Sequence, residues 1–81
     1  MRIDKYLKNA RIIKRRTVAK EACDQGRVLV NERKAKPGTE VVPGDRIELR
    51  LGSKVLAVEV MLCLDHATKQ TAETMYEVIG D

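Results

Sequence analysis

Lys14-Arg15-Arg16-Thr17-Val18-Ala19-Lys20-Glu21-Ala22-Cys23-Asp24-Gln25-Gly26-Arg27-Val28-Leu29-Val30 is the stretch that decides the fold class. Val18, Ala19, Ala22 and Cys23 fall on one face of a helix, which predicts helix from about Arg16 to Gln25. Gly26 supplies the left-handed stop that helix ends favour. Arg27-Val28-Leu29-Val30 follows at once and reads as a strand. A helix that runs into a strand across a single glycine implies a mixed α+β domain.

The upstream sequence predicts a partner helix over about residues 3–10, where Ile3, Tyr6, Leu7 and Ala10 share one arc. Lys5 and Lys8 take the opposite arc. Asp4 stands in the first turn, where a carboxylate suits the helix dipole. Ile12 and Ile13 anchor the connection, so the two helices form a hairpin. Downstream, Asn31-Glu32-Arg33-Lys34 reads as a turn, and Ala35 and Lys36 as a short strand that Pro37-Gly38 breaks. Val42-Pro43-Gly44-Asp45 is a second turn. Ile47, Leu49 and Leu51 alternate with Arg46, Glu48 and Arg50, the pattern of a half-buried strand. Gly52-Ser53-Lys54 turns the chain into a longer apolar strand from Val55 to Leu64. Over residues 68–79 the pattern leaves helical turns open for the first half and a strand for Tyr76 to Ile79. The expected architecture is an N-terminal two-helix hairpin packed on a small, mainly antiparallel sheet.

The length of 81 residues sets a single domain, 1–81, as the expectation. With no Trp, no Phe and two Tyr, the core must be built from Val, Leu, Ile, Ala and Met, which leaves no room for a deep enzyme pocket. Cys23 and Cys63 have no metal-ligand spacing, and each sits in an apolar stretch. They read as buried thiols in a reducing compartment. No apolar run has the length of a membrane span, and none follows the first basic residues as in a signal peptide. A cytoplasmic protein away from the membrane is expected. His66, beside Asp65, is the only histidine. No nucleophile–base pair, glycine-rich phosphate loop or metal cluster is evident, so no catalytic residue, metal or cofactor is expected.

Charge is unevenly spread. Residues 1–36 hold 12 Lys and Arg against 4 Asp and Glu, whereas residues 37–81 hold 4 against 8. Such polarity gives the surface an electrostatic direction. Lys14, Arg15 and Arg16 stand where the second helix begins, and Arg2 where the first begins, so cations oppose both dipoles. A phosphate resolves the conflict: it pairs with guanidinium groups and accepts from free backbone N–H groups at the helix start. Thr17 either donates its hydroxyl to that phosphate or caps the helix. The competing arrangement pairs Arg15 and Arg16 with Glu21 or Asp24 and leaves Arg2 on a frayed terminus. Lys5, Lys8, Arg11 and Lys20 extend the cationic surface, and Arg27 joins it at the junction of hairpin and sheet. DNA is the poorer partner, because Val18, Ala19, Lys20, Glu21 and Ala22 offer little for reading base edges. Structured RNA, recognised by shape and phosphates, suits a rigid basic hairpin without aromatic stacking platforms. Glu40, Asp45, Glu48 and Glu59 either meet a basic protein or keep the sheet soluble.

Arg2-Ile3-Asp4-Lys5-Tyr6-Leu7, Arg15-Arg16-Thr17-Val18-Ala19-Lys20, Gly26-Arg27-Val28, Val30-Asn31 and Val42-Pro43-Gly44-Asp45 occur in an order and spacing that resembles the S4-type RNA-binding domain. The resemblance spans about residues 1–60, with about 61–81 as an extension, and implies the S4-like α-L fold. Ile13 to Thr17 and Thr74-Met75-Tyr76 are most similar to the small ribosome-associated quality-control factors of bacteria. A cousin group is the heat-shock ribosome-recycling proteins, which carry a longer basic tail than a chain ending at Asp81. The resemblance implies action on the large ribosomal subunit, with rRNA and tRNA as partners; a monomer is the default expectation. The protein would hold peptidyl-tRNA in the P site while a nascent-chain tailing factor extends the stalled chain. The resemblance assigns Arg2 and Arg16 to rRNA and tRNA phosphates, supported by Lys5, Lys8, Arg11, Lys14, Arg15, Thr17, Lys20 and Arg27. The alternatives are a recycling factor or a structured-RNA-binding module of an RNA-modifying system. One departure stands out: the family's first hairpin usually turns on Asn-Gly, whereas Glu32 follows Asn31 here.

Overall fold

The computed structural model describes residues 1–80. Two helices, α1 (Ile3–Asn9) and α2 (Arg16–Asp24), precede β1 (Val28–Val30), β2 (Arg33–Lys34), β3 (Arg46–Leu51) and β4 (Lys54–Val60). A short helix α3 (Lys69–Ala72), a 3-10 turn (Glu73–Met75) and β5 (Tyr76–Gly80) follow. The strands form one antiparallel sheet in the order β2-β1-β3-β4-β5. This is the α+β architecture expected, with the helical hairpin laid over one sheet face.

The period-two pattern of β3 explains the layering. Ile47 and Leu49 point inward, and the register places Val28 opposite Leu49, Val30 opposite Ile47, and Ile47 opposite Val58. These rows of branched side chains meet Ile3, Tyr6 and Leu7 of α1 and Ala19 and Cys23 of α2. Full burial of each large aliphatic side chain contributes about 1.5–3 kcal/mol, so this core lives on many modest contributions. Tyr6 is the one fully buried aromatic residue. Its hydroxyl donates to the Met75 carbonyl at 2.6 Å, which satisfies the polar tip and ties the 3-10 turn to α1. Burial raises the Tyr6 pKa, so it stays a neutral donor. Cys23 is buried as expected, and burial pushes its thiol up to about 11; Cys63 is half-buried and reaches the Val41 carbonyl at 3.6 Å.

Two strand expectations need correction. β2 lies at Arg33–Lys34, not at Ala35 and Lys36, because the turn before it has only two residues. Asn31 (φ 51°) and Glu32 (φ 71°) both take left-handed backbone, as the tight hairpin turn whose twist matches its strands requires. Asn31 also locks β1 to β3: its Oδ1 accepts from the Arg46 N–H at 3.0 Å, and its Nδ2 donates to Asp45 Oδ1 at 3.1 Å. β4 begins at Lys54 and ends at Val60, four residues before Leu64. The N–H groups of Met61 and Leu62 turn instead to the Met75 carbonyl, and their side chains are exposed. Residues 68–79 divide where a cap sets the boundary. Thr68 and Thr71 form a reciprocal capping box that starts α3, and the chain re-enters the sheet at Tyr76.

The Asn31–Glu32 turn yields a test. Glu32→Gly removes the steric cost of a left-handed glutamate and is expected to stabilise the domain by about 0.5–1 kcal/mol. Thermal unfolding should show the midpoint rising by a few degrees. An unchanged or lower midpoint would mean that the turn does not hold that backbone.

Candidate nucleic-acid interface

The hairpin brings the starts of its two helices together. Arg2 is the residue before α1 and Arg15 the residue before α2, each in extended backbone, and neither helix start has a side-chain cap. The side chain that joins them is Asp4, which is fully buried (0% exposed). Arg2 donates from Nε to Asp4 Oδ1 and from Nη2 to Oδ2, both at 3.2 Å. Arg16 approaches the same carboxylate from α2, with Nη2 at 3.4 Å from Oδ1 and Nε at 3.3 Å from Oδ2. The Lys5 backbone N–H completes the shell at 2.8 Å from Oδ1. Burial pushes the Asp4 pKa up, but the Arg16 hydrogen bond, the Lys5 N–H and the charges of Arg16 and Arg2 outweigh it. The carboxyl is held below its ordinary value.

The two guanidinium groups are not buried by this pairing. The Arg2 and Arg16 side chains remain 47% and 46% exposed. Each guanidinium has five N–H donors and spends two directions on Asp4, so donors remain for solvent or an anion. Two cations on one carboxylate leave a net charge of one. The competing pairing of Arg16 with Glu21 or Asp24 does not form, and Arg2 is no frayed terminus. The Ile3 and Asp4 N–H groups donate to the carbonyls of Thr39 (2.8 Å) and Pro37 (3.3 Å), and Arg2 bridges Glu40 through its backbone. This corrects the picture of a free backbone cradle at α1, because the loop 37–39 already occupies those donors. At α2, no hydrogen bond among the described residues engages the N–H groups of Arg16, Thr17 or Val18. Thr17 is exposed and does not cap the helix.

The other cations separate into groups. Lys8, Arg11 and Lys14 line one open groove with Asn9, Asp65, His66 and Ala67. Arg11 turns this corner with φ 59°. Asn9 Nδ2 donates to the Leu64 and Asp65 carbonyls at 3.0 and 2.9 Å, and Lys5 Nζ meets Asp65 at 3.1 Å. Lys5 therefore holds the 64–66 loop on α1 and is not a spare cation. Arg15 and Lys20 are exposed, and no carboxylate among the described residues pairs with either. Arg27 is set apart. It follows the far end of α2, about 13 Å of helix away from Arg16, and lines a hollow with Val18, Arg50 and Leu51. Sequence reading missed the bridging role of Asp4 and the place of His66 in the groove. A carboxylate flanking the buried arc of a helix is the signal that would have found Asp4.

The S4 domain family matches residues 1–47. This chain belongs to that family. The matched S4 region runs from α1 into β3 and contains Arg2, Asp4 and Arg16. Full-length relatives share the remainder. The chain is 51% identical over 81 residues to a protein of Streptococcus pneumoniae named RQC P-site tRNA stabilizing factor, covering all of this chain and 92% of that one. Proteins of the same name in Halalkalibacterium halodurans (50% over 78 residues, 96% and 89% covered) and Bacillus subtilis (46% over 81 residues, 100% and 94% covered) are also similar. Among solved structures, the trimeric structure of Vibrio cholerae Heat Shock Protein 15 superposes with a TM-score of 0.89 at 30% identity, covering 96% of this chain and 80% of that one.

Asp4 can be tested through pH. Its depressed folded-state pKa means that the stability it contributes is present above the unfolded carboxylate pKa of about 3.9 and is lost as pH falls through the folded value. Asp4→Asn is expected to cost about 1 kcal/mol near neutral pH, with solvent access to both arginines keeping the loss small. It should also flatten the decline of the urea midpoint below about pH 5. A variant with the wild-type acid slope would show that Asp4 is not the ionised partner.

Proposed function

We propose that this chain is a non-catalytic, cytoplasmic RNA-binding factor that acts as a single domain on large ribosomal subunits and steadies a tRNA in the P site. The observation that carries the reading is the pair of half-exposed guanidinium groups fixed side by side by one buried carboxylate, in a chain about half identical along its length to named P-site tRNA stabilizing factors. Two clamped guanidiniums present planar, charge-assisted donors at a fixed separation, which suits successive or branching phosphates of folded RNA. Arg15, Lys14 and the uncapped start of α2 with Thr17 continue that surface along the dipole-positive end of the helix. Lys20 lies one turn beyond Arg16, and Lys8, Arg11 and Lys14 form a second basic wall around their groove.

In this reading Lys5 acts through Asp65 to place the groove's far wall, and Arg27 is peripheral to RNA. The rRNA and the tRNA backbone are both partners, and contact is by shape and phosphate. The factor works as a monomer alongside a nascent-chain tailing factor, which performs the chemistry. A heat-shock-type recycling role is the weaker alternative, because the likeness to Heat Shock Protein 15 is 30% identity against about 50% for the P-site factors.

Co-sedimentation with purified large subunits carrying peptidyl-tRNA tests the reading. Arg16→Ala combined with Arg15→Ala is expected to weaken association about tenfold or more and to reduce the salt slope by about the two phosphate contacts removed. Circular dichroism of the variant serves as the folding control. Wild-type association and salt dependence in a folded variant would sink the assignment.

A further inference from the structure

The hollow that holds Arg27 belongs to a surface of different chemistry. Ile12, Val18, Ala22 and Leu51 line a groove between α2 and the end of β3, and Leu51 also borders a second hollow with Val55 and Leu56 at the β3–β4 hairpin tip. Val18 and Leu51 are 46% and 49% exposed, whereas Val55, opposite Arg50 in the register, points to the other face of the sheet. Large aliphatic side chains gathered on one surface of so small a domain mark an interaction site more often than scattered exposure does. Arg27, Arg50 and Lys54 surround them. All three are exposed, and none has a carboxylate partner among the described residues. Glu21 is the one carboxylate on the groove's lining.

These features select the occupant. RNA is a poor match, because aliphatic side chains offer neither donors for phosphates nor aromatic planes for bases. A second copy is a poor match too, because a two-fold contact would set the same three cations against themselves. Strand addition is closed, since β3 is already paired with β1 on one side and β4 on the other. What remains is a helix lying in the groove with apolar anchors toward Leu51 and Val18 and carboxylates toward the cationic rim. We propose that this surface is the docking site for an acidic amphipathic helix of a protein partner.

The position of the surface fits simultaneous engagement with RNA. Arg16 and Lys20 lie one turn apart on one flank of α2's buried arc, whereas Val18 and Ala22 lie one turn apart on the other. The same nine-residue helix therefore presents cations to one side and an apolar seam to the other. The inference does not depend on which RNA the cationic side meets.

The test titrates the isotope-labelled full chain with a synthetic helical peptide carrying Leu on one face and Glu on the other, followed by backbone amide NMR. Saturable shifts are expected at Ile12, Val18, Ala22 and residues 50–56, without shifts at Arg2 or Arg16. Leu51→Asp should weaken binding about tenfold or more. Lys54→Glu, at an exposed hairpin tip where folding is not at issue, should weaken the Glu peptide and favour a Lys counterpart. Absence of saturable shifts, or shifts that ignore both substitutions, overturns the proposal. A short RNA duplex that shifts the same amides would assign the surface to RNA. A dimer in sedimentation that Leu51→Asp dissolves would assign it to a second copy. Either result replaces the inference.

Discussion

One buried carboxylate holds the two helix starts together. Removing Asp4 from water is costly, and only close, well-oriented partners offset that cost. Here two guanidinium groups and a backbone N–H take both oxygens. The arginines come from different helices, so the bond fixes the hairpin's geometry as well as its charge. It also makes each guanidinium rigid before any ligand arrives. A side chain as rotamer-rich as arginine ordinarily loses about 1.5–2 kcal/mol of conformational freedom when it is immobilised. At this site the folded protein has already restricted that freedom, which leaves a bound phosphate less to order.

The remainder of the domain keeps that corner in place. The loop 37–39 satisfies the first donors of α1, so the helix start is fixed to the chain that follows β2. Tyr6, two residues after Asp4, runs through the core to Met75. Asn9 and Lys5 then fasten the 64–66 loop against the outer side of α1. Residues beyond the S4 region thus brace its first helix from the back and provide the far wall of the Lys8–Arg11–Lys14 groove. A core without Phe or Trp can do this because each tie is a directional hydrogen bond, not bulk.

What was legible in the sequence was local. The helical arcs of Ile3, Tyr6 and Leu7 and of Ala19 and Cys23, and the alternation of β3, repeat within a few residues, and the fold class follows from them. The misplaced boundaries had non-local causes. β4 stops at Val60 because the Met75 carbonyl captures the next N–H groups, and nothing in the apolar run marks that point. β2 starts early because Glu32 tolerates a backbone that glycine would adopt more readily. At the site, the crowding of cations at two helix starts was visible, but their common partner was not. Asp4 and Arg16 are twelve residues apart, and local logic offered Glu21 and Asp24 first. The sequence puts Arg27 at the junction of hairpin and sheet, and there it stands between α2 and β1, lining a hollow with Val18 and Leu51.

In the proposed role, the shared carboxylate also limits how strongly the surface would hold RNA. Two free arginines would carry two positive charges to any polyanion, and non-specific affinity rises steeply with each phosphate neutralised. With Asp4 between them the pair carries one. The loss of Coulomb attraction is general to all phosphates, but the gain in fixed geometry benefits only those phosphates placed to meet both planes at once. In that role the trade would lower affinity for arbitrary RNA more than for a backbone of matching shape. In a cell dense with RNA, discrimination of that kind serves a small basic protein better than raw charge. It also places the selectivity in the angle between two helices, so the residues that tune it are those that set the hairpin and need not touch RNA at all.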